Sequence, residues 1–166
     1  MFIGNASSWK NSFQTSEQRF TAKIAKHWPN CRELLDSSSI EDDITNNLVN
    51  LLCKDSEVRK LGWPEAQFVP FGFVNGSQTI KGKGFIDIAL IIDGNREDYI
   101  AYECKRLNVI NKGNRESLAT KYVNEGLFRF IKQQYSSTLP LASMLGYVMD
   151  GDVDFALNKV HSAIQT

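Results

Sequence analysis

The sequence is short of cysteine, short of proline and without any excess of one charge. Its three cysteines, Cys31, Cys53 and Cys104, form no CxxC pair and have no histidine at zinc-ligand spacing. That argues against a disulfide framework and a structural zinc site, and it fits a reducing compartment. Four prolines, 42% apolar and 23% charged residues in 166 exclude a disordered composition. One globular domain spanning 1–166 is expected, able to bury about 70% of its unfolded surface without staples. Residues 1–10 show no basic stretch leading into an apolar run, and no segment approaches the roughly 18 apolar residues of a membrane span. A soluble, cytoplasmic protein with no membrane partner is therefore expected. Acids and bases balance at 19 each, so any nucleic-acid role must rest on a local patch rather than on a basic surface as a whole.

The elements that are present alternate between helix and strand patterns. Thr15 to Trp28 reads as a helix, with Thr15 and Gln18 as a capping box, Phe20, Ile24 and Trp28 at four-residue steps, and Pro29 and Asn30 as its end. Ser38 and Glu41 match a second capping box, before an apolar stripe of Ile44, Leu48, Leu51 and Leu52 that runs to about Cys53. A short strand is expected over Gln67 to Val74, then a turn at Asn75-Gly76 and a basic approach, Lys81-Gly82-Lys83-Gly84. Phe85 to Ile92 and Tyr99 to Lys105, joined through Asp93-Gly94-Asn95, read as a β-hairpin, and strands this apolar imply helices on both faces of their sheet. After Asn108 the spacing predicts a polar connection, a helix over Leu118 to Gln134, a strand over Ala142 to Met149 ended by Asp150-Gly151, and a last helix over Val153 to Ile164. The order α-α-β-β-β-α-β-α specifies an α/β fold with a central mixed sheet flanked by helices. Its core lies at about 38–150, with the 15–28 helix packed on it.

One charged residue, Asp87, interrupts the apolar run Phe85 to Ile92, and an unpaired carboxylate there would cost several kcal/mol. Side chains alternate across a strand, so Glu103 and Lys105 share a face and Cys104 turns to the other, into the core. For Asp87 to join them it must lie opposite Glu103 or an odd-numbered neighbour, which places the chain reversal near Asn95. Two carboxylates and an ammonium at one end of a buried hairpin suit a hard cation such as Mg2+, which takes one or two carboxylates and keeps its other positions for water and phosphate. A buried structural ion network is the competing reading.

Gly84-Phe85-Ile86-Asp87, followed after fifteen residues by Glu103-Cys104-Lys105, resembles the PD-(D/E)xK nuclease superfamily, with Glu41 resembling the acid many members carry on the preceding core helix. The tract Tyr102 to Leu107 looks especially like those nucleases. Tyr122, Gly126, Arg129-Phe130 and Tyr135, then Met144 to Val148, look like the helix and strand of small restriction-like nucleases from bacterial defence loci. The resemblance implies a restriction endonuclease-like core over about residues 38 to 150. It also implies that Asp87, Glu103 and the Cys104 backbone carbonyl hold Mg2+, or Mn2+ in its place, and that Lys105 orients the attacking water or offsets phosphate charge. Glu41 has two readings: part of the metal's surroundings, or a first-turn acid favoured only by the helix dipole.

Charge is unevenly distributed along the chain. Residues 29–66 carry eight acids against four bases, whereas residues 105–132 carry seven bases against two acids. Arg106, Lys112, Arg115, Lys121 and Arg129, with Lys81 and Lys83 on the approach to Asp87, are the candidate contacts to a phosphodiester backbone. Tyr122, Gly126, Arg129 and Gln133 fall on one helical face. His27 and His161 sit in terminal helical segments rather than in a triad, and no nucleophile elbow, P-loop or dinucleotide glycine motif is present. The expected activity is Mg2+-dependent DNA cleavage by a defence or restriction-type effector, acting as a homodimer or with a partner protein that targets or regulates it. The alternatives are a non-catalytic nucleic-acid-binding or assembly module of the same fold, and an RNA-cleaving toxin.

Overall fold

The computed structural model describes residues 6–36, 38–73, 80–82, 84–92, 94, 96–131 and 141–165, with side chains at 6–10, 71–73 and 80–82 left undescribed. Within these limits the chain is a mixed α/β structure in which a five-stranded mixed sheet is flanked by helices. No described helix is long and apolar enough to cross a membrane.

The first helix, α1, runs over Ala6–Glu33 and is longer at both ends than its sequence pattern predicts. Thr15 is inside it, its hydroxyl donating to the Asn11 carbonyl at 2.9 Å instead of capping an end. Pro29 is also interior, at a position where the missing N–H and the ring clash cost about 3 kcal/mol. Tertiary packing carries the helix through: the Trp28 ring stacks on Tyr147 at 5.4 Å and 9°. One turn on, Cys31 is fully buried, its Sγ donating to the Ile44 carbonyl.

Helix α2, Glu41–Lys54, buries Ile44, Leu48 and Leu52 completely, as its stripe predicts. Its cap differs from the expected Ser38–Glu41 box. Ser38 donates from both backbone N–H and hydroxyl to Asp36, while Asp43 accepts from the Ile40 N–H. Glu41 is thereby released to point elsewhere. The short helix α3, Ser56–Arg59, is capped by Asp55, which accepts from the Glu57 N–H at 2.8 Å.

Strand β1, Trp63–Phe68, pairs antiparallel with β4, Ile86–Ile91, and β4 pairs antiparallel with β5, Tyr99–Asn111. The single strand expected over Gln67 to Val74 is split. Pro70, which has no N–H to give a ladder, falls between β1 and β2, Phe71–Phe73, and β2 pairs separately with β3, Ile80–Gly82. The expected Asn75-Gly76 turn lies outside the described residues. Beyond Asn108 the expected polar connection is instead a continuation of β5 and a hairpin to β6, Asn114–Ser117. Lys112 and Gly113 make its two-residue turn at φ +49° and +79°, the pair of positive φ values that a type I′ turn requires. Strand β7, Ala142–Val148, runs parallel to β5 on its other pairing.

Between β6 and β7 the chain is helical at α4, Ala119–Lys121, widens to a π-helical turn, π1, at Tyr122–Leu127, and resumes as α5 at Phe128–Ile131. The last helix, α6, spans Val153–Ile164 as expected. Phe20, Ile24, Ile44, Leu48 and Leu52 pack on one face of the hairpin against Ile88, Leu90, Ile100, Tyr102 and Cys104. Ala89, Ile91, Tyr99 and Ala101 face the other side with Phe68 and Ile86.

Close approach of backbone fixes the start of β1. A Cβ on Gly62 would lie 2.4 Å from the Ile91 carbonyl oxygen, whereas one on Gly94 would meet nothing within 4 Å. Gly62→Ala is expected to cost about 1–3 kcal/mol as overpacking, and Gly94→Ala to be neutral or stabilising by up to about 1 kcal/mol. Chemical denaturation of the two variants measures both, and equal midpoints would contradict the packing described.

Candidate active site

The pairing Ile88↔Tyr102 through Ile91↔Tyr99 centres the reversal on position 95, as the carboxylate spacing requires, although Asp93 and Asn95 themselves lie outside the described residues. One step beyond the last paired positions, the same register sets Asp87 across from Glu103. Here β4 stops supplying backbone partners while β5 runs on. The free N–H groups of Cys104 and Arg106, two residues apart and so on one edge of the strand, are taken by carboxylates instead. Asp87 Oδ2 accepts from Cys104 at 2.6 Å and Glu41 Oε2 accepts from Arg106 at 3.1 Å. An acid from β4 and an acid from the first turn of α2 are thus fixed side by side along β5.

Lys105 stands among them. Its Nζ lies 2.7 Å from Glu41 Oε1, 3.1 Å from Glu103 Oε1 and 3.7 Å from Asp87 Oδ2, and it donates to the Cys104 carbonyl at 2.8 Å. Arg129, from α5, donates to the same Glu103 Oε1 at 2.7 Å. Glu103 is fully buried, and its second oxygen, Oε2, has no hydrogen-bond partner. An orphaned buried carboxylate oxygen is costly, and it is the observation that most directly asks for a ligand. The turn before α5 packs closely at Gly126, where a Cβ would lie 2.4 Å from the mobile end of Met144 and 3.6 Å from Glu103 Cγ.

Burial pushes the carboxyl pKa of Asp87 up, opposed by the Cys104 N–H and the Lys105 charge. Burial, joined by the charge of Asp87, does the same at Glu103, opposed by Lys105 and Arg129. Burial by itself would lower Lys105, but the Glu41 hydrogen bond and the charges of Asp87, Glu103 and Glu41 outweigh it and hold the ammonium well above its ordinary range. Burial raises the Cys104 thiol strongly, so this residue meets the site through its backbone and not as a thiolate.

Through Glu41, Lys105 and Arg129 the cluster borders a cleft of about 380 Å³ that is also lined by Asp42, Arg106, Lys121 and Glu125; Asp87 and Glu103 are not among its lining residues. Three of the candidate phosphate contacts, Arg106, Lys121 and Arg129, are therefore brought to one place. Lys112 is at the tip of the β5–β6 hairpin, about 20 Å along the strand from Lys105. Arg115 is bound to Asp150 and Asp152, both at 2.7 Å, over the Phe155 ring. Lys83, Lys132, Gln133 and Tyr135 lie outside the described residues, as does the side chain of Lys81.

The residues fit a hard divalent ion. Asp87 and Glu103 offer adjacent carboxylates, one of them with an unpartnered oxygen, which is the donor set Mg2+ or Mn2+ accepts when water and phosphate complete its shell. Among the described residues no three His, Cys, Asp or Glu side chains converge as a ready-made cage. The two cations on Glu103 Oε1, and above all the role of Arg129 as a carboxylate partner, go beyond the sequence pattern. The nearest signal was Gly126, one turn before Arg129. Comparison with known proteins finds no matching family model, no similar curated protein and no similar solved structure.

The raised carboxyl values fix a sign. In the folded state Asp87 and Glu103 hold their protons to higher pH than in the unfolded chain. Their contribution to stability is therefore present at low pH and is lost as pH rises through about 4 and on to the raised values. In EDTA, Glu103→Gln is expected to gain thermal stability relative to the parent as pH increases over that window. A margin that shrinks with rising pH would contradict the assignment.

Proposed function

We propose that the protein is a metal-dependent nuclease with a PD-(D/E)xK, restriction endonuclease-like core, hydrolysing phosphodiester bonds in DNA as a defence or restriction-type effector. The observation that carries this reading is the convergence of Asp87, Glu103 and Glu41, from two strands and a helix, on the Lys105 ammonium, with Glu103 Oε2 buried and unpartnered. Asp87 and Glu103 would hold Mg2+ or Mn2+, with the Cys104 carbonyl beside them. Bound there, the ion supplies Lewis acidity toward the phosphate and a water of lowered pKa.

The chain's own residues do the rest. Lys105, anchored by Glu41, is placed to orient the attacking water by hydrogen bonding and to offset charge that builds on the phosphate. Glu41 positions Lys105 and also ties the Arg106 backbone N–H, which merges the two readings of this acid into one mechanical role. Arg106, Lys121 and Arg129 line the cleft and counter the phosphate backbone. One domain with one such site cuts one strand at a time, so double-strand cleavage requires a second copy or a partner protein.

A non-catalytic nucleic-acid-binding module of the same fold is favoured by one observation: Lys105 and Arg129 already neutralise much of the acidic cluster without a metal. Incubation of the purified protein with plasmid DNA or RNA, with Mg2+ or with EDTA, separates the readings. DNA cleavage that requires Mg2+ is expected, falling at least about 100-fold in Asp87→Ala and Lys105→Ala, with circular dichroism showing the fold retained. Cleavage of RNA alone would transfer the activity to an RNA-cleaving toxin. Undiminished cleavage by either variant would overturn the assignment.

A further inference from the structure

The two cations of the cluster are unequally exposed. Lys105 is enclosed, with four oxygens from Glu41, Cys104, Glu103 and Asp87 around its Nζ and its side chain 11% exposed. Arg129 is 37% exposed, lines the cleft, and is bound to Glu103 through the oxygen that Lys105 already shares. Its contribution to Glu103 is therefore the more replaceable of the two. A guanidinium presents a planar fork of donors that matches a phosphate bidentately, and Arg106 and Lys121 line the same cleft and draw the same anion.

We propose that Arg129 is an exchangeable counter-ion. It neutralises Glu103 in the substrate-free protein and transfers to the phosphodiester when one enters the cleft, so that substrate and divalent ion promote each other's binding. The inference rests on the nuclease reading and assigns a regulatory property to that same site. While Arg129 is on Glu103, part of the carboxylate's charge is spent and an ion there meets a neighbouring cation. Once Arg129 has moved to the phosphate, Glu103 keeps only Lys105 on Oε1 and carries more of its charge toward an ion, and the guanidinium charge is matched by the substrate. Linkage makes the coupling reciprocal.

The local structure suits such a movement. Arg129 lies two residues after the π-helical turn Tyr122–Leu127, a helix type that occurs mostly as single turns and frequently at functional sites. The contact beside it is made by Gly126 against a flexible methionine, Met144, which yields more readily than backbone. Arg129 is thus a positioning residue in the empty protein and a substrate contact in the loaded one.

Mn2+ binding, followed by calorimetry, tests this without reference to turnover. The parent, Arg129→Gln and Arg129→Lys are titrated alone and with a phosphorothioate-substituted DNA duplex, with thermal unfolding run on each to confirm folding. The parent is expected to bind Mn2+ about tenfold more tightly with the duplex. Arg129→Gln is expected to bind Mn2+ about tenfold more tightly than the parent without DNA and to gain correspondingly less from it, with Arg129→Lys between the two. Equal Mn2+ affinity of the parent and Arg129→Gln without DNA, or a parent indifferent to the duplex, would overturn the coupling while leaving the nuclease reading in place. Should Arg129→Gln fail to fold, the response of the parent to the duplex and the Arg129→Lys titration still decide. Absence of Mn2+ binding by every protein in every state would overturn both.

Discussion

The structure turns on one buried ammonium. Lys105 sits where β4 and β5 cease to pair, and its Nζ is the shared counter-ion of Glu41, Glu103 and Asp87. Removing charges from water costs several kcal/mol per ion even after relaxation, and only good geometry with further hydrogen bonds offsets it. Here those bonds come from the strand itself. The edge N–H groups of Cys104 and Arg106 hold Asp87 and Glu41 in place, so the same carboxylates complete the sheet edge and balance the lysine. The start of α2, the end of β4 and the middle of β5 are fixed to each other by this arrangement. Taking out Asp87 or Glu41 opens the strand edge, and taking out Lys105 leaves the carboxylates without their shared cation.

The same arrangement bears on how a chain with no net charge can gather bases at one cleft. Of the acids of α2, Glu41 is tied to the lysine and Asp43 to the Ile40 N–H, while Asp42 and Glu125 line the cleft with Arg106, Lys121 and Arg129. Not every base of the 105–132 segment contributes. Arg115 is committed to Asp150 and Asp152, next to the fully buried Asn108, whose amide also holds Asp150. That network secures the turn after β7 and the cap of α6, a structural task for a residue that reads from the sequence as a phosphate contact.

What was legible in the sequence followed from strict periodicity. The register that faces Asp87 with Glu103 and Lys105 could be read because strand side chains repeat every two residues and an apolar run tolerates only one orientation. The stripe of α2 and the whole of α6 were legible for the corresponding helical reason. The misreadings arose where distant contacts outweighed local rules. Pro29 reads as a helix end until Trp28 meets Tyr147 and Cys31 is seen in the core. The β5–β6 hairpin was hidden because Lys112-Gly113 replaces the usual Asn-Gly or Asp-Gly signal. Ser38 and Glu41 have the spacing of a capping box, but Asp36 captures the serine and Lys105 the glutamate. The pairing of Arg129 with Glu103 spans 26 residues through a π-helical turn, and no spacing rule reaches across that.

Under the proposed nuclease function, Asp87 and Glu103 together would hold a divalent ion beside Lys105. Anomalous diffraction from a crystal grown with Mn2+ tests it directly, because the signal locates the metal independently of any activity. One strong peak within coordinating reach of the Asp87 and Glu103 carboxylates is expected. Mn2+ density elsewhere, or a fully occupied Lys105 ion network with no metal at saturating Mn2+, would contradict it.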